Sequence, residues 1–202
     1  SLYCVSKGDS LGTKPGIYLF DPNKGAPVLI KEGDGLFKQP AISEQGEALA
    51  FLYCAKKDSA KHVMELWLSE NSAPARLAAD RRNRAIPKGW VISEHGTLRF
   101  SEEADRLFLG TSPEPRQKDT TQLAEYRPDV QVWSWDEPVQ YTVQTFNRDK
   151  DLKKSYRAVY NRKTRSLVQL ANEELPDITV PHKGNYALLS TDRPYSLSSM
   201  WE

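Results

Sequence analysis

Leu2-Tyr3-Cys4-Val5-Ser6-Lys7 returns as Leu52-Tyr53-Cys54-Ala55-Lys56-Lys57, 50 residues further along, and Asp-Ser soon follows each copy, at Asp9-Ser10 and Asp58-Ser59. A repeat of this length fixes the architecture before any single element does, because each copy is one supersecondary unit whose apolar faces its neighbours must cover. A weaker third copy is Leu107-Phe108-Leu109-Gly110-Thr111-Ser112, and Tyr186-Ala187-Leu188-Leu189-Ser190-Thr191 reads as a fourth.

Each copy sits inside the same local pattern. Upstream lies an apolar residue, a polar turn and a second apolar run: Ile42-Ser43-Glu44-Gln45-Gly46-Glu47-Ala48-Leu49-Ala50-Phe51, Phe100-Ser101-Glu102-Glu103-Ala104-Asp105-Arg106-Leu107-Phe108-Leu109, and Val180-Pro181-His182-Lys183-Gly184-Asn185-Tyr186-Ala187-Leu188-Leu189. These read as strand, tight turn, strand. Downstream comes a second hairpin, as in Ile17-Tyr18-Leu19-Phe20, the turn Asp21-Pro22-Asn23-Lys24-Gly25, and Val28-Leu29-Ile30. Pro22 presets the turn and Gly25 is free to take positive φ. Glu65-Leu66-Trp67-Leu68 with Ala75-Arg76-Leu77, and Tyr156-Arg157-Ala158-Val159-Tyr160 with Leu167-Val168-Gln169-Leu170, repeat that hairpin.

Two hairpins in series, returning after about 50 residues, are the signature of a β-propeller blade. The expected fold is all-β, a partial β-propeller of about three to four blades of four-stranded antiparallel sheet. It forms a single domain over 1–202, with blade remnants at 1–38, 39–88, 89–174 and 175–202. Five Trp, nine Tyr and thirteen Pro fit strands and turns better than a helical bundle.

The period then stretches, from 55 residues between Leu52 and Leu107 to 80 between Leu107 and Ala187. The third unit therefore carries an insertion. Its first piece, 113–128, is an exposed loop on composition. Its second, 139–154, stays open: Val139, Val143 and Phe146 are spaced for one helix face, while Val139, Tyr141 and Val143 alternate as in a strand. The chain opens on a second blade strand and stops where a third would begin, so the expectation is a piece of a longer protein, since a closed ring takes roughly four to eight blades.

Charge and cysteine content narrow the function. Lys plus Arg number 28 against 27 Asp plus Glu, so the net charge of +1 supplies no global field for nucleic acid or anionic membrane. No apolar run reaches the roughly 18 residues of a membrane span. Two cysteines exclude a four-thiolate zinc site.

Several stretches carry a family likeness. Phe100-Ser101-Glu102 with Arg106-Leu107-Phe108-Leu109-Gly110-Thr111, Asp129-Val130-Gln131-Val132-Trp133-Ser134-Trp135-Asp136, Ala158-Val159-Tyr160 with Leu167-Val168-Gln169-Leu170, and Asn185-Tyr186-Ala187-Leu188 with Arg193-Pro194-Tyr195 resemble the N-terminal propeller of secreted bacterial serine peptidases of the prolyl oligopeptidase family. The likeness is strongest from about Trp90 to Trp201 and rests on blade-packing patterns. It implies a periplasmic or secreted parent in which the propeller shields or gates a separate C-terminal α/β-hydrolase domain holding the Ser, Asp and His. That domain, with a peptide substrate, is the implied partner, and no catalytic residue, metal ligand or cofactor is assigned to this chain. The alternative is a TolB-like or surface-lattice propeller scaffold that binds a protein or glycan and has no enzyme in its parent.

One string tests this reading. Gly8-Asp9-Ser10-Leu11-Gly12 fits G-x-S-x-G and spells the G-D-S-L of a lipase and esterase class. A nucleophile elbow needs a helix after its strand and turn, so that the Ser hydroxyl is raised beside an oxyanion-binding N–H. Here Gly12-Thr13-Lys14-Pro15-Gly16 leads into another strand, and none of His62, His95 or His182 has Asp three residues before it. The string reads as an inter-strand loop.

The same three histidines lack the short spacing of metal ligands, and His95 and His182 read as solvated turn residues. Cys4 and Cys54 fall on equivalent strands of neighbouring blades and read as small buried packing residues, with a disulfide as the sharper alternative. Trp67, Trp133 and Trp135, placed in third strands, read as inter-blade core, or else as a stacking platform for a peptide or sugar ring. Arg81-Arg82-Asn83-Arg84 with Lys88 reads as a solvated inter-blade loop, or else as a dock for an acidic partner or the hydrolase domain.

Overall fold

A computed structural model describes residues 2–8, 13–20, 25–55, 62–115, 139–180 and 186–195, apart from the Arg193 side chain. All strand pairs are antiparallel, and the sheets follow one another along the chain as meanders. The first sheet is β1 (Leu2–Ser6), β2 (Gly16–Phe20) and β3 (Val28–Glu32), in that order. The second is β4 (Leu36–Ile42), β5 (Ala48–Cys54), β6 (Glu65–Glu70) and β7 (Arg76–Ala79). In the third, β8 (Trp90–Ile92) and β9 (Arg99–Phe100) share the first position, followed by β10 (Arg106–Pro113), β11 (Tyr156–Asn161) and β12 (Ser166–Gln169). β13 (Asp177–Thr179) and β14 (Leu188–Ser190) form a last pair, before a 3-10 turn at Arg193–Tyr195. This is the blade series of a partial β-propeller, and the repeated Leu-Tyr-Cys runs are β1 and β5. The division expected at 38/39 falls inside β4, which already pairs with β5 from Leu36.

The continuous apolar run on β5 explains the stacking. A strand with one wet face alternates apolar and polar residues, whereas every residue from Ala48 to Cys54 is buried. Leu49, Phe51 and Tyr53 face one way and pack with Ile17, Leu19 and Ile30 of the first sheet. Ala48, Ala50, Leu52 and Cys54 face the other way, into a cluster with Leu107, Leu109, Ala158 and Tyr160 of the third sheet. Leu49, Phe51 and Tyr53 on one face and the mostly smaller Ala48, Ala50, Leu52 and Cys54 on the other let the second sheet sit between its neighbours.

Turn chemistry repeats along with the strands. The Ser43 Oγ accepts the Ala48 N–H at 3.0 Å, and the Ser101 Oγ accepts the Arg106 N–H at 3.1 Å. In the first turn Gly46 takes φ +75°; in the second, Ala104 holds the same left-handed geometry at +55°. The insertion in the third sheet contains α1 (Tyr141–Asp151), so the helical alternative for 139–154 is the one realised, and none of the helix's residues is buried.

Gly110 of β10 lies directly opposite Arg157 of β11, and the backbone of Gly96 rests on it. A Cβ at Gly110 would stand 2.5 Å from the Gly96 Cα, and one at Gly96 would stand 2.3 Å from the Gly110 Cα. Neither neighbour is a flexible side chain that can swing aside. Gly110→Ala is therefore expected to lower unfolding stability by about 1–3 kcal/mol through overpacking, read as a lower midpoint in urea with an unchanged slope.

Candidate functional site

The first strands of the second and third sheets are both broken at the same height. β4 shifts register between Lys38 and Ala41, with Gln39 at φ +50°. The corresponding strand of the third sheet is split into β8 and β9 by the turn that carries Glu94, His95 and Gly96. Bulges re-aim side chains, and a left-handed non-glycine residue persists only where its surroundings hold it. Gln39 is held from both ends: its Nε2 donates to the Glu94 backbone oxygen at 2.8 Å and its Oε1 accepts the Leu98 N–H at 3.0 Å.

This junction gathers charge around one carboxylate. Lys38 Nζ donates to Glu94 Oε2. His62 Nδ1 lies 3.4 Å from the same oxygen, and His95 Nε2 lies 3.8 Å from Oε1. Burial would raise the Glu94 pKa, but the hydrogen bond from Lys38, its charge, and the charges of His62 and His95 outweigh that effect and hold it below the ordinary value. The arrangement keeps an ionised carboxylate among nitrogen donors. Lys38, Glu94, His62 and His95 include no hydroxyl or thiol. Among the described residues, no group of three or more His, Cys, Asp or Glu side chains is arranged to hold a metal ion.

A second charged group clasps the sheets further out. Arg162, just past β11, donates from Nη2 to Glu70 Oε1 at 2.9 Å, from Nε to the same oxygen at 3.1 Å, and from Nη1 to the Ala104 carbonyl at 2.6 Å. Arg76 of β7 donates to the Tyr160 hydroxyl at 3.2 Å and to Glu70 Oε2 at 3.3 Å. Burial works to raise the Glu70 pKa, and hydrogen bonds from Arg162 and Arg76, with their charges, bring it below the ordinary value.

The structure places the remaining candidate residues as follows. His95 does lie in a turn, but it is drawn to Glu94 together with His62, 33 positions earlier in the sequence, so the reading of His95 as a simple solvated turn residue is incomplete. Cys4 and Cys54 are both free thiols. Cys54 is buried as expected; Cys4 is exposed, because the residues of β1 around it, such as Leu2 and Val5, meet no covering sheet among the described residues. Trp67 packs between the first two sheets, edge-on to Tyr53, with the Lys31 ammonium 3.7 Å from its ring centroid. Its ring face is thus already occupied by a cation. β11 holds the third position of the third sheet. Trp133, Trp135, Ser10 and His182 lie outside the described residues. After β1, the next described element is β2, its antiparallel partner. Arg81, Arg82 and Arg84 are exposed on the connection from β7 to β8. Among the described residues, no helix is long and apolar enough to cross a membrane.

No known family profile matches the sequence, and no curated protein matches it. Among solved structures, TolB from Acinetobacter baumannii matches over 90% of this chain and 33% of its own, with 13% identity and a TM-score of 0.40. An acylaminoacyl peptidase in complex with Z-Gly-Gly-Phe-chloromethyl ketone matches over 76% of this chain and 20% of its own, with 15% identity and a TM-score of 0.39. The chain thus spans about a third and a fifth of the two structures.

Lowered carboxylate pKa values fix the sign of a pH effect. A group whose pKa is lower in the folded state contributes stability above its unfolded value of about 4.5, and that contribution is lost as the pH falls through the folded value. Glu70→Gln is expected to lower stability at pH 7 by about 1–2 kcal/mol through the charged hydrogen bonds it loses. Glu94→Gln should cost roughly 0.2–1 kcal/mol, since Lys38 is partly in solvent. Denaturant titrations at pH 7 and pH 3 check this: both deficits should shrink at the lower pH.

Proposed function

We propose that the chain is a non-catalytic propeller segment of a prolyl oligopeptidase-like serine peptidase, shielding or gating access to a hydrolase domain carried elsewhere in the parent protein. The observation that carries this reading is the contrast between the two kinds of surface. The cores of the sheet interfaces are apolar, whereas the broken first strands present Lys38, Glu94 and His95 as a polar face built around an ion pair. A polar face built around an ion pair, with no hydroxyl or thiol in it, suits selecting and admitting a ligand. The sequence stretches that resemble the peptidase propeller also coincide with blade strands: Phe100 and 106–111 with β9 and β10, and 158–160 and 167–169 with β11 and β12. A periplasmic or secreted location belongs to the same proposal.

The test is labelling with a fluorophosphonate serine-hydrolase probe. The parent protein is expected to label at a serine outside this chain, and the chain itself to show no specific labelling beside a heat-killed control. Labelling of the chain that disappears in Ser10→Ala would overturn the proposal. A parent that contains only further blades and does not label would favour the scaffold alternative.

A further inference from the structure

The two faces of β11 are put to different uses. Tyr156, Ala158 and Tyr160 are buried, whereas Arg157 and Val159 face the other way, on the side of β10 that carries Phe108 and Gly110. There Arg157 borders a hollow of about 270 Å³ that is also lined by His95, Thr97, Ser155 and Asp177. At roughly 30 Å³ per water molecule, the space admits a ligand of several heavy atoms. Among the described residues, no hydrogen bond or ion pair engages the Arg157 guanidinium, or the hydroxyls of Thr97 and Ser155. Arg157 feels a repulsive charge from Arg99 on β9.

A partly buried guanidinium that feels a second arginine and has no acceptor among the described residues is an unbalanced arrangement, since buried charges are normally paired. Burial first, and the Arg99 charge second, lower the Arg157 pKa, but an arginine stays protonated across the working range. The charge therefore remains, with no acceptor for it among the described residues. Arg157, Arg99 and Asp177 together leave one positive charge near the hollow, which suits a monoanion better than a dianion. We infer that this hollow binds the carboxylate of a small organic acid or of a peptide C-terminus, with Arg157 as the charged fork and Thr97 and Ser155 as flanking donors. A carboxylate takes two parallel hydrogen bonds from a guanidinium, and hydroxyls on either side can donate to the remaining lone pairs. The inference rests on residues of this chain and stands apart from any hydrolase activity in the parent.

Calorimetric titration of the full chain with N-acetylglycine, N-acetylglycinamide, inorganic phosphate, and a tripeptide with a free or amidated C-terminus tests it. Saturable binding of N-acetylglycine, and none of its amide, is expected. Binding of the free-ended tripeptide as well would identify peptide ends as ligands, and its failure would leave small organic acids. Arg157→Gln should weaken carboxylate binding at least about tenfold, as the loss of one charge-assisted hydrogen-bonded pair requires. The Tm of the unliganded variant should be unchanged or higher, because the substitution removes an uncompensated charge. Arg157→Lys keeps the charge without the fork, and should give an intermediate affinity even if the glutamine variant folds poorly. Equal binding of acid and amide, undiminished binding by Arg157→Gln, or binding of phosphate alone would each overturn the assignment.

Discussion

Burial of β5 on both faces is the constraint on which the rest of the structure depends. A strand written Ala-Leu-Ala-Phe-Leu-Tyr-Cys has no face to offer water, so its sheet is stable only between two others. Each neighbour then inherits the same requirement on its far side. The third sheet meets part of it by placing Gly110, Phe108 and Arg157 there instead of a second full apolar layer. The first sheet meets less of it: β1 leaves Leu2 65% and Val5 50% exposed. A repeat protein is a chain of such obligations, and each copy is only as stable as its two interfaces make it.

That division of labour explains where charge can be put. With the sheet faces committed to packing, ionisable groups collect where the strands break or end. The junction of β4 with the turn between β8 and β9 takes Lys38, Glu94, His62 and His95, and the ends of β6 and β11 take Glu70 and Arg162. Both groups bridge two sheets, so they also set the angle and height at which the sheets meet. Their hydrogen bonds are directional where the apolar contact is not.

How much of this could be read from the sequence follows from the range of each interaction. The hairpins were legible because period-two alternation and turn residues such as Ser43 and Gly46 act within a few positions. The blade repeat was legible because the same local solution recurs, down to the left-handed turn residue that is Gly46 in one copy and Ala104 in the next. The Glu94 cluster was not. Lys38 and Glu94 are 56 positions apart, and they meet only because both first strands are broken, a shift of register that no composition announces. Val139, Val143 and Phe146 fit a helix face while Val139, Tyr141 and Val143 fit a strand over the same short stretch, and the helix that resulted buries none of its residues, so tertiary contact did not decide between the two. Cys4 and Cys54 have the same local sequence and different burial, which is a property of their neighbours and not of the repeat.

The two arginines at either end of β11 sharpen the argument about function. Arg162, with its side chain only 14% exposed, is supplied with Glu70, Glu47 and the Ala104 carbonyl. Arg157 begins the same strand, is also partly buried, and has no acceptor among the described residues. Among the described residues, the fold satisfies a guanidinium at one end of β11 only. A merely structural arginine at 157 would gain from the partners that Arg162 has, or from replacement by a neutral side chain. A charge retained without partners among the described residues, over a hollow whose two hydroxyls likewise have none there, finds its proposed explanation in a ligand that brings the carboxylate.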